Sequence, residues 1–127
     1  MKYADVVADV QERAQIPSVL QADLATRATL HALGRRLAGC RNKQVAYRLP
    51  APLASELPEA GEPASFGVTG FYELVADLEK VAVPTAESHA RTVIAVLRER
   101  MEEDEFDAIV EELPDDYADL LGGAGRS

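Results

Sequence analysis

Two histidines, His31 and His89, and a single cysteine, Cys40, are the only side chains of this 127-residue chain able to act as soft or borderline metal ligands. No two of them stand at the i, i+4 spacing or in the CxxC-like arrangement that zinc sites use. The run Glu102-Glu103-Asp104-Glu105-Phe106-Asp107 offers the oxygen ligands that calcium takes. It lacks the glycine and the terminal glutamate that shape an EF-hand loop, and reads as a solvated helix junction. Cys40 would need both a cationic neighbour and a base to serve as a nucleophile; Arg41 and Lys43 supply the first and nothing near in sequence supplies the second. A small buried thiol or a neutral surface residue accounts for it. Gly67 and Gly70 are expected in a turn, with no Lys-Ser or Lys-Thr behind them, and neither a nucleophile elbow nor a serine-triad order is present. No catalytic residue, metal or cofactor is assigned, and the chain reads as non-enzymatic.

The arginines hold more interest. Arg27 and Arg91 occupy equivalent places in two similar stretches, Thr26 to Leu57 and Ala90 to Leu121. They are candidates either for an anion-binding pair that approaches across a pseudo-twofold axis, or for structural ion pairs to Asp9 and Asp77 on the helix preceding each. The second reading is favoured, because an arginine kept through duplication is explained by the fold alone. Charge is also uneven. Residues 1–64 carry eight basic and seven acidic side chains, and residues 65–127 carry five and fifteen, so the net charge of −9 belongs to the second half. Arg27 to Arg48 contains no acid, and Glu102 to Asp119 contains ten acids and no base. Four matched positions have opposite sign: Arg35 with Glu99, Arg41 with Glu105, Lys43 with Asp107 and Arg48 with Glu112. The candidate interaction surface is therefore Arg35, Arg41, Lys43 and Arg48 against Glu102, Glu105, Asp107 and Glu112. It would be used by a protein partner with a basic face, or in weak, salt-sensitive self-association. Nucleic-acid contact through the basic segment is a weaker alternative, since the overall charge repels phosphates and only Tyr47 is interleaved as an aromatic. Small-ligand or anion binding in the cleft between the two halves is the other.

The elements that must position these residues are helical. Tyr3, Val6, Val7 and Val10 fall on one helical face, which predicts a helix over Lys2 to Ala14. Pro17 separates it from a long helix, Ser18 to Ala38, with the stripe Thr26, Leu30, Leu33 and Leu37 and with Gly39 as a C-terminal cap. Asn42 to Arg48 predicts a short helix broken at Leu49-Pro50, and one more turn reaches Leu57. The pattern restarts with Phe71, Leu74, Val75 and Leu78, then Val83-Pro84, then a long helix from Thr85 or Ala86 with the stripe Ala90, Ile94, Leu97 and Met101. Asp104 is expected to cap a further short helix, ended by Leu113-Pro114, and Tyr117, Leu120 and Leu121 to close the core. An ungapped match of Arg27, Leu33, Arg36, Leu49-Pro50, Ala54 and Leu57 with Arg91, Leu97, Arg100, Leu113-Pro114, Ala118 and Leu121 predicts a duplication.

The expected fold is all-α: two tandem helical repeats, about 2–57 and about 70–121, joined by a linker at 58–66 and packed into one helical-bundle domain, with 122–127 a flexible tail. Neither repeat has enough apolar surface of its own to be stable alone. This tandem pattern, with its aromatic start, arginine-bearing long helix and Leu-Pro breaks, resembles a bacterial family of uncharacterised proteins, domain of unknown function 2267, from about Lys2 to Leu121. The resemblance implies a small all-α protein and carries no activity. A single cysteine and the absence of an apolar N-terminal run read as a cytoplasmic location without a membrane span.

Overall fold

The computed structural model describes residues 1–37, 39–57 and 64–121, and side chains throughout them except at 39–41. Among these the chain is all-α: seven α-helices and one 3-10 turn, with no strand. The first half runs α1 (Tyr3–Arg13), α2 (Val19–Leu37), α3 (Gly39–Ala46) and α4 (Ala51–Ala54). The second runs α5 (Val68–Glu79), α6 (Val83–Arg100), α7 (Glu103–Glu111) and a 3-10 turn at Asp115–Ala118.

Local chemistry sets most of these bounds. Ser18 Oγ accepts the Gln21 N–H at 3.1 Å and so satisfies one orphan donor at the start of α2. Pro84 sits in the first turn of α6, where a missing N–H costs nothing. α1 ends into Gln15 and α5 into Lys80, both in the left-handed region at φ 55° and 60°, the conformation that reverses a chain at a helix C-terminus. The carboxylate that caps α5 comes from far along the chain: Asp116 Oδ2 accepts the Val68 N–H at 2.8 Å. A Cβ on Gly67 would lie about 2.5 Å from the same oxygen, so a larger residue there would make the Asp116 carboxylate shift.

Four helices form the body. α1 lies against both α2 and α6, α5 lies against both α6 and α2, and the two long helices lie against each other. Short α3 meets α7, and α4 returns onto α2 and α3. Apolar faces from every one of these helices join a single core that includes Val6, Val10, Leu30, Leu33, Phe71, Val75, Val93, Leu97, Ile109 and Leu120. At one edge Phe71 meets the buried Tyr117 ring edge-on, centroids 5.7 Å apart. The Tyr117 hydroxyl donates to Phe66 O at 2.9 Å and reaches Gly67 O at 3.3 Å, tying the C-terminal turn to the start of α5.

Three local expectations need correction. α5 buries Phe71, Tyr72, Val75, Ala76 and Glu79, one step round the helix from the stripe through Leu74 and Leu78; Leu74 is half-buried and Leu78 is exposed. Turning the helix this way brings the Tyr72 hydroxyl and the Glu79 carboxyl to polar partners. α7 begins with Glu102 as its cap, two residues before Asp104, because Glu105 three residues on reaches back to the Glu102 N–H at 3.2 Å. Gly39 is the first residue of α3, and Gly70 lies inside α5 instead of in a turn. The greater part of the linker, 58–63, and the tail, 122–127, lie outside the described residues. No described helix is long and apolar enough to cross a membrane.

Candidate functional site

Arg27 and Arg91 are held in matching ways. The Arg27 guanidinium lies 5.4 Å from the centre of the Tyr3 ring, and that of Arg91 lies 5.6 Å from the centre of the Tyr72 ring. Each is bound by a carboxylate that also accepts the hydroxyl of the same tyrosine: Asp23 serves Arg27 and Tyr3, and Asp119 serves Arg91 and Tyr72. Burial, and then the neighbouring carboxylate, pushes the Tyr3 phenol up to about 12 and the Tyr72 phenol further in the same direction. Arg91 and the Tyr72 hydroxyl hold Asp119 below its ordinary range. Glu56 and Glu87 add more distant carboxylates, at 4.0 and 3.9 Å. The partners foreseen at Asp9 and Asp77 are thus not the ones used. Asp9 is taken by Arg100 at 2.9 Å and Arg13 at 3.6 Å, because α1 lies against the end of α6. The two guanidiniums share none of these carboxylates, and each is ion-paired within its own half.

The charged surface is built on α3 and α7. Where they meet, Lys43, Tyr47 and Arg48 face Met101, Asp104 and Glu105 across an open groove of about 510 Å³. Tyr47 stands out of it at 84% exposed, with the Arg48 guanidinium 5.5 Å from its ring centre. Arg48 is ion-paired to Glu105, so two residues of the candidate surface answer each other within one molecule. Lys43 lines the groove and is exposed; Glu102, Asp107 and Glu112 are exposed on or beside α7, and Arg35 is exposed on α2. The side chain of Arg41, like that of Cys40, lies outside the described residues. Elsewhere in the basic stretch, Arg36 donates to Phe66 O at 3.1 Å and lies over the Tyr117 ring. Burial raises the Tyr117 phenol to about 12, against the lowering effect of that guanidinium.

The histidines occupy unlike settings. His31 is partly exposed on α2, with Glu56 Oε1 3.5 Å from its Nδ1. His89 is far more enclosed, its side chain 13% exposed, and its Nδ1 is 2.7 Å from Oε1 of Glu79, whose side chain is 3% exposed. Oε2 of Glu79 is buried without any partner. Burial pushes the Glu79 carboxyl up, against the opposing pull of His89. The pair lies at a cavity of about 550 Å³ between the α1–α2 and α5–α6 turns. No group of three or more potential metal ligands occurs among the described residues. Sequence reasoning weighed His89 only as a metal ligand and did not single out Glu79. The signal was present in the spacing, because Glu79 follows Val75 by four residues and so falls on the buried face of α5.

A bundle of two long and two shorter helices, flanked by short helices bearing complementary charge, defines the class: a small all-α protein with its polar chemistry at the helix ends. The chain belongs to the family of uncharacterized conserved proteins DUF2267, whose profile matches residues 3–120. No curated protein matches it.

Proposed function

We propose that the protein is a duplicated, non-enzymatic helical interaction module of the bacterial cytoplasm, and that its face formed by α7 and α3 receives a basic segment of another protein. The observation that carries this reading is the acidic array on α7 beside the groove that Tyr47 overlooks. Glu102, Glu103, Asp104, Asp107 and Glu111 are all exposed on or next to a nine-residue helix. Like charges so close repel one another, and a basic partner relieves that repulsion while the exposed tyrosine and the apolar parts of Val45 and Met101 supply contact area. Reciprocal contacts of α1 with α6 and α5 with α2 support the duplicated origin.

An outside partner is favoured over self-association because Arg48 is already engaged by Glu105. Anion binding at Arg27 and Arg91 and phosphate contact along the basic stretch are disfavoured for the same reason, since Arg27, Arg36, Arg48 and Arg91 all have internal acceptors.

The test is a titration of the labelled protein with an amphipathic peptide rich in lysine and leucine, followed by amide NMR at low and high salt. Shifts should cluster on α3 and α7, weaken with salt, and vanish in Asp104→Lys plus Asp107→Lys. Shifts spread evenly over the surface, or insensitive to that variant, would refute the reading. Sedimentation of Arg41→Glu plus Lys43→Glu beside the wild type decides the self-association alternative. A salt-sensitive dimer lost in the variant would move the partner from an outside protein to a second copy.

A further inference from the structure

His89 and Glu79 are not explained by an interaction face on α7. Their cavity lies toward the opposite end of α6, where Pro84, Thr85 and Ser88 line it, whereas Met101 lines the groove; thirteen residues of helix put the two roughly 20 Å apart. Its walls come from both halves of the chain: Ile16, Pro17 and Leu24 from the α1–α2 side, and Val81, Pro84 and Ser88 from the α5–α6 side. A volume of about 550 Å³ is within the usual span of small-molecule sites, about 300–1,000 Å³.

The polar chemistry is confined to one point. Glu79 Oε1 engages Nδ1 of His89, which orients the ring and leaves Nε2 as the nitrogen not engaged by Glu79, on a side chain that lines the cavity. Leaving Oε2 of Glu79 buried and unpartnered is costly for a fold, and an alanine or leucine at this place would pack without that cost. The carboxyl makes sense as the group that fixes the histidine. His31 has a more exposed setting and a longer contact to Glu56, and does not line this cavity.

The remaining lining sets the character of a ligand. No lysine or arginine lines the cavity, and its sole carboxyl, Glu79, is committed to His89. A charged ligand would therefore lose its hydration without gaining a counter-charge. The rest is apolar or neutral polar. Large apolar side chains stand exposed close by in sequence: Leu20 at 81%, with Val19 before it, Leu24 one turn on, and Val83 next to Pro84. Of these, Leu24 lines the cavity itself and adds exposed apolar surface to its wall.

We propose that this cavity binds an uncharged, mostly apolar molecule carrying one hydroxyl, of the phenol or short-alcohol class, with Nε2 of His89 as the hydrogen-bond partner of that hydroxyl and Glu79 as the positioning residue behind it. A hydroxyl both donates and accepts, so it satisfies Nε2 in either protonation state of the pair.

The test uses the full chain and three probes of similar shape: phenol, toluene, which lacks the hydroxyl, and benzoate, which is charged. Imidazole NMR signals of His89 are followed, with those of His31 as the internal reference. Phenol should move the His89 signals and leave His31 in place. Toluene and benzoate should each bind at least roughly tenfold more weakly, the loss expected for one hydrogen bond to a buried polar group. Ser88→Phe, at an exposed position that lines the cavity, should abolish the response without disturbing the core. Glu79→Gln should let both ring tautomers of His89 populate, visible in its nitrogen shifts, and weaken phenol by about the same factor. The proposal is overturned if phenol leaves His89 unmoved up to its solubility limit, if toluene binds as well as phenol, or if Ser88→Phe changes nothing. Should Glu79→Gln fail to fold, the probe comparison and Ser88→Phe decide the matter alone.

Discussion

Truncation of Leu33 and Leu97 tests whether the two long helices share one interior. Both are buried, at equivalent places on α2 and α6, and both border the same small void together with Leu30, Ile94, Leu49 and Leu113. Leu→Ala removes three carbons, which at about 0.8 kcal/mol each is about 2.4 kcal/mol of lost burial. If roughly 50 Å³ of the vacated space stays open, a further ~1.2 kcal/mol follows at about 24 cal/mol per Å³. Each variant should then lose about 3–4 kcal/mol, a large part of a stability of about 5–15 kcal/mol. In urea unfolding followed by circular dichroism, with a slope of about 1–3 kcal/mol per M, the midpoint should fall by roughly 1–4 M. The double variant is the sharper measurement. Residues that border one void share neighbours, so the two losses should fail to add by at least about 0.5 kcal/mol. Losses below about 1 kcal/mol at both sites, or strict additivity, would mean that the two stripes do not face a common interior.

Two further perturbations read the polar contacts. Tyr117→Phe keeps the ring against Phe71 but leaves Phe66 O with one donor fewer; it should cost about 1–2 kcal/mol, and no change in the unfolding midpoint would show that the hydroxyl does not tie the C-terminal turn to α5. At high pH the sign follows from the raised phenols. The folded states of Tyr3 and Tyr117 keep their protons to about 12, against an ordinary value of 10.0, so their stabilisation is complete below pH 10 and is lost as pH rises toward 12. Phenolate absorbance should therefore rise together with loss of helicity; phenols of Tyr3 and Tyr117 that ionise near pH 10 in an intact helical protein would contradict the buried contacts.

Much of the fold is legible in the sequence because its punctuation is chemical. Pro17, Pro50, Pro84 and Pro114 each stand at an element boundary, and the stripes Leu30, Leu33, Leu37 and Ala90, Ile94, Leu97 are buried as their spacing requires. The face of α5 was harder, since Phe71 and Tyr72 are adjacent and apolar periodicity fits either. Aligning Phe71 with Tyr3 satisfies the hydrophobic pattern, yet Tyr72 takes the part of Tyr3, because only a tyrosine can offer a hydroxyl to the carboxylate that holds the arginine. The ion pairs between distant helices were not legible, unlike the i,i+4 pairs Asp9–Arg13, Asp23–Arg27 and Glu87–Arg91. Arg13 with Glu99 at 2.7 Å and Arg100 with Asp9 at 2.9 Å are separated by 86 and 91 positions, and no local rule selects such partners. Glu79 was passed over because charge on a helix is ordinarily read as a solvent face.

The two Tyr–Arg–Asp groups give Arg27 and Arg91 matching structural surroundings. Their carboxylates have different origins: Asp23 lies one turn before Arg27 on α2, whereas Asp119 arrives from the segment after α7. What recurs is therefore the interaction itself, a guanidinium spread over a phenol ring and neutralised by the acid that also accepts the phenol proton. Recruiting either arginine to an outside anion would break the ion pair, leave the tyrosine hydroxyl with a competing partner and uncover the ring. A solvent-exposed ion pair is worth only about 0–1 kcal/mol, but the stacking and the shared hydrogen bond are lost with it. Function is better sought where polar groups are not so used up. The exposed acids of α7 and the ring of His89 at its cavity are set toward opposite ends of α6, so that a substitution at one can be read without disturbing the other.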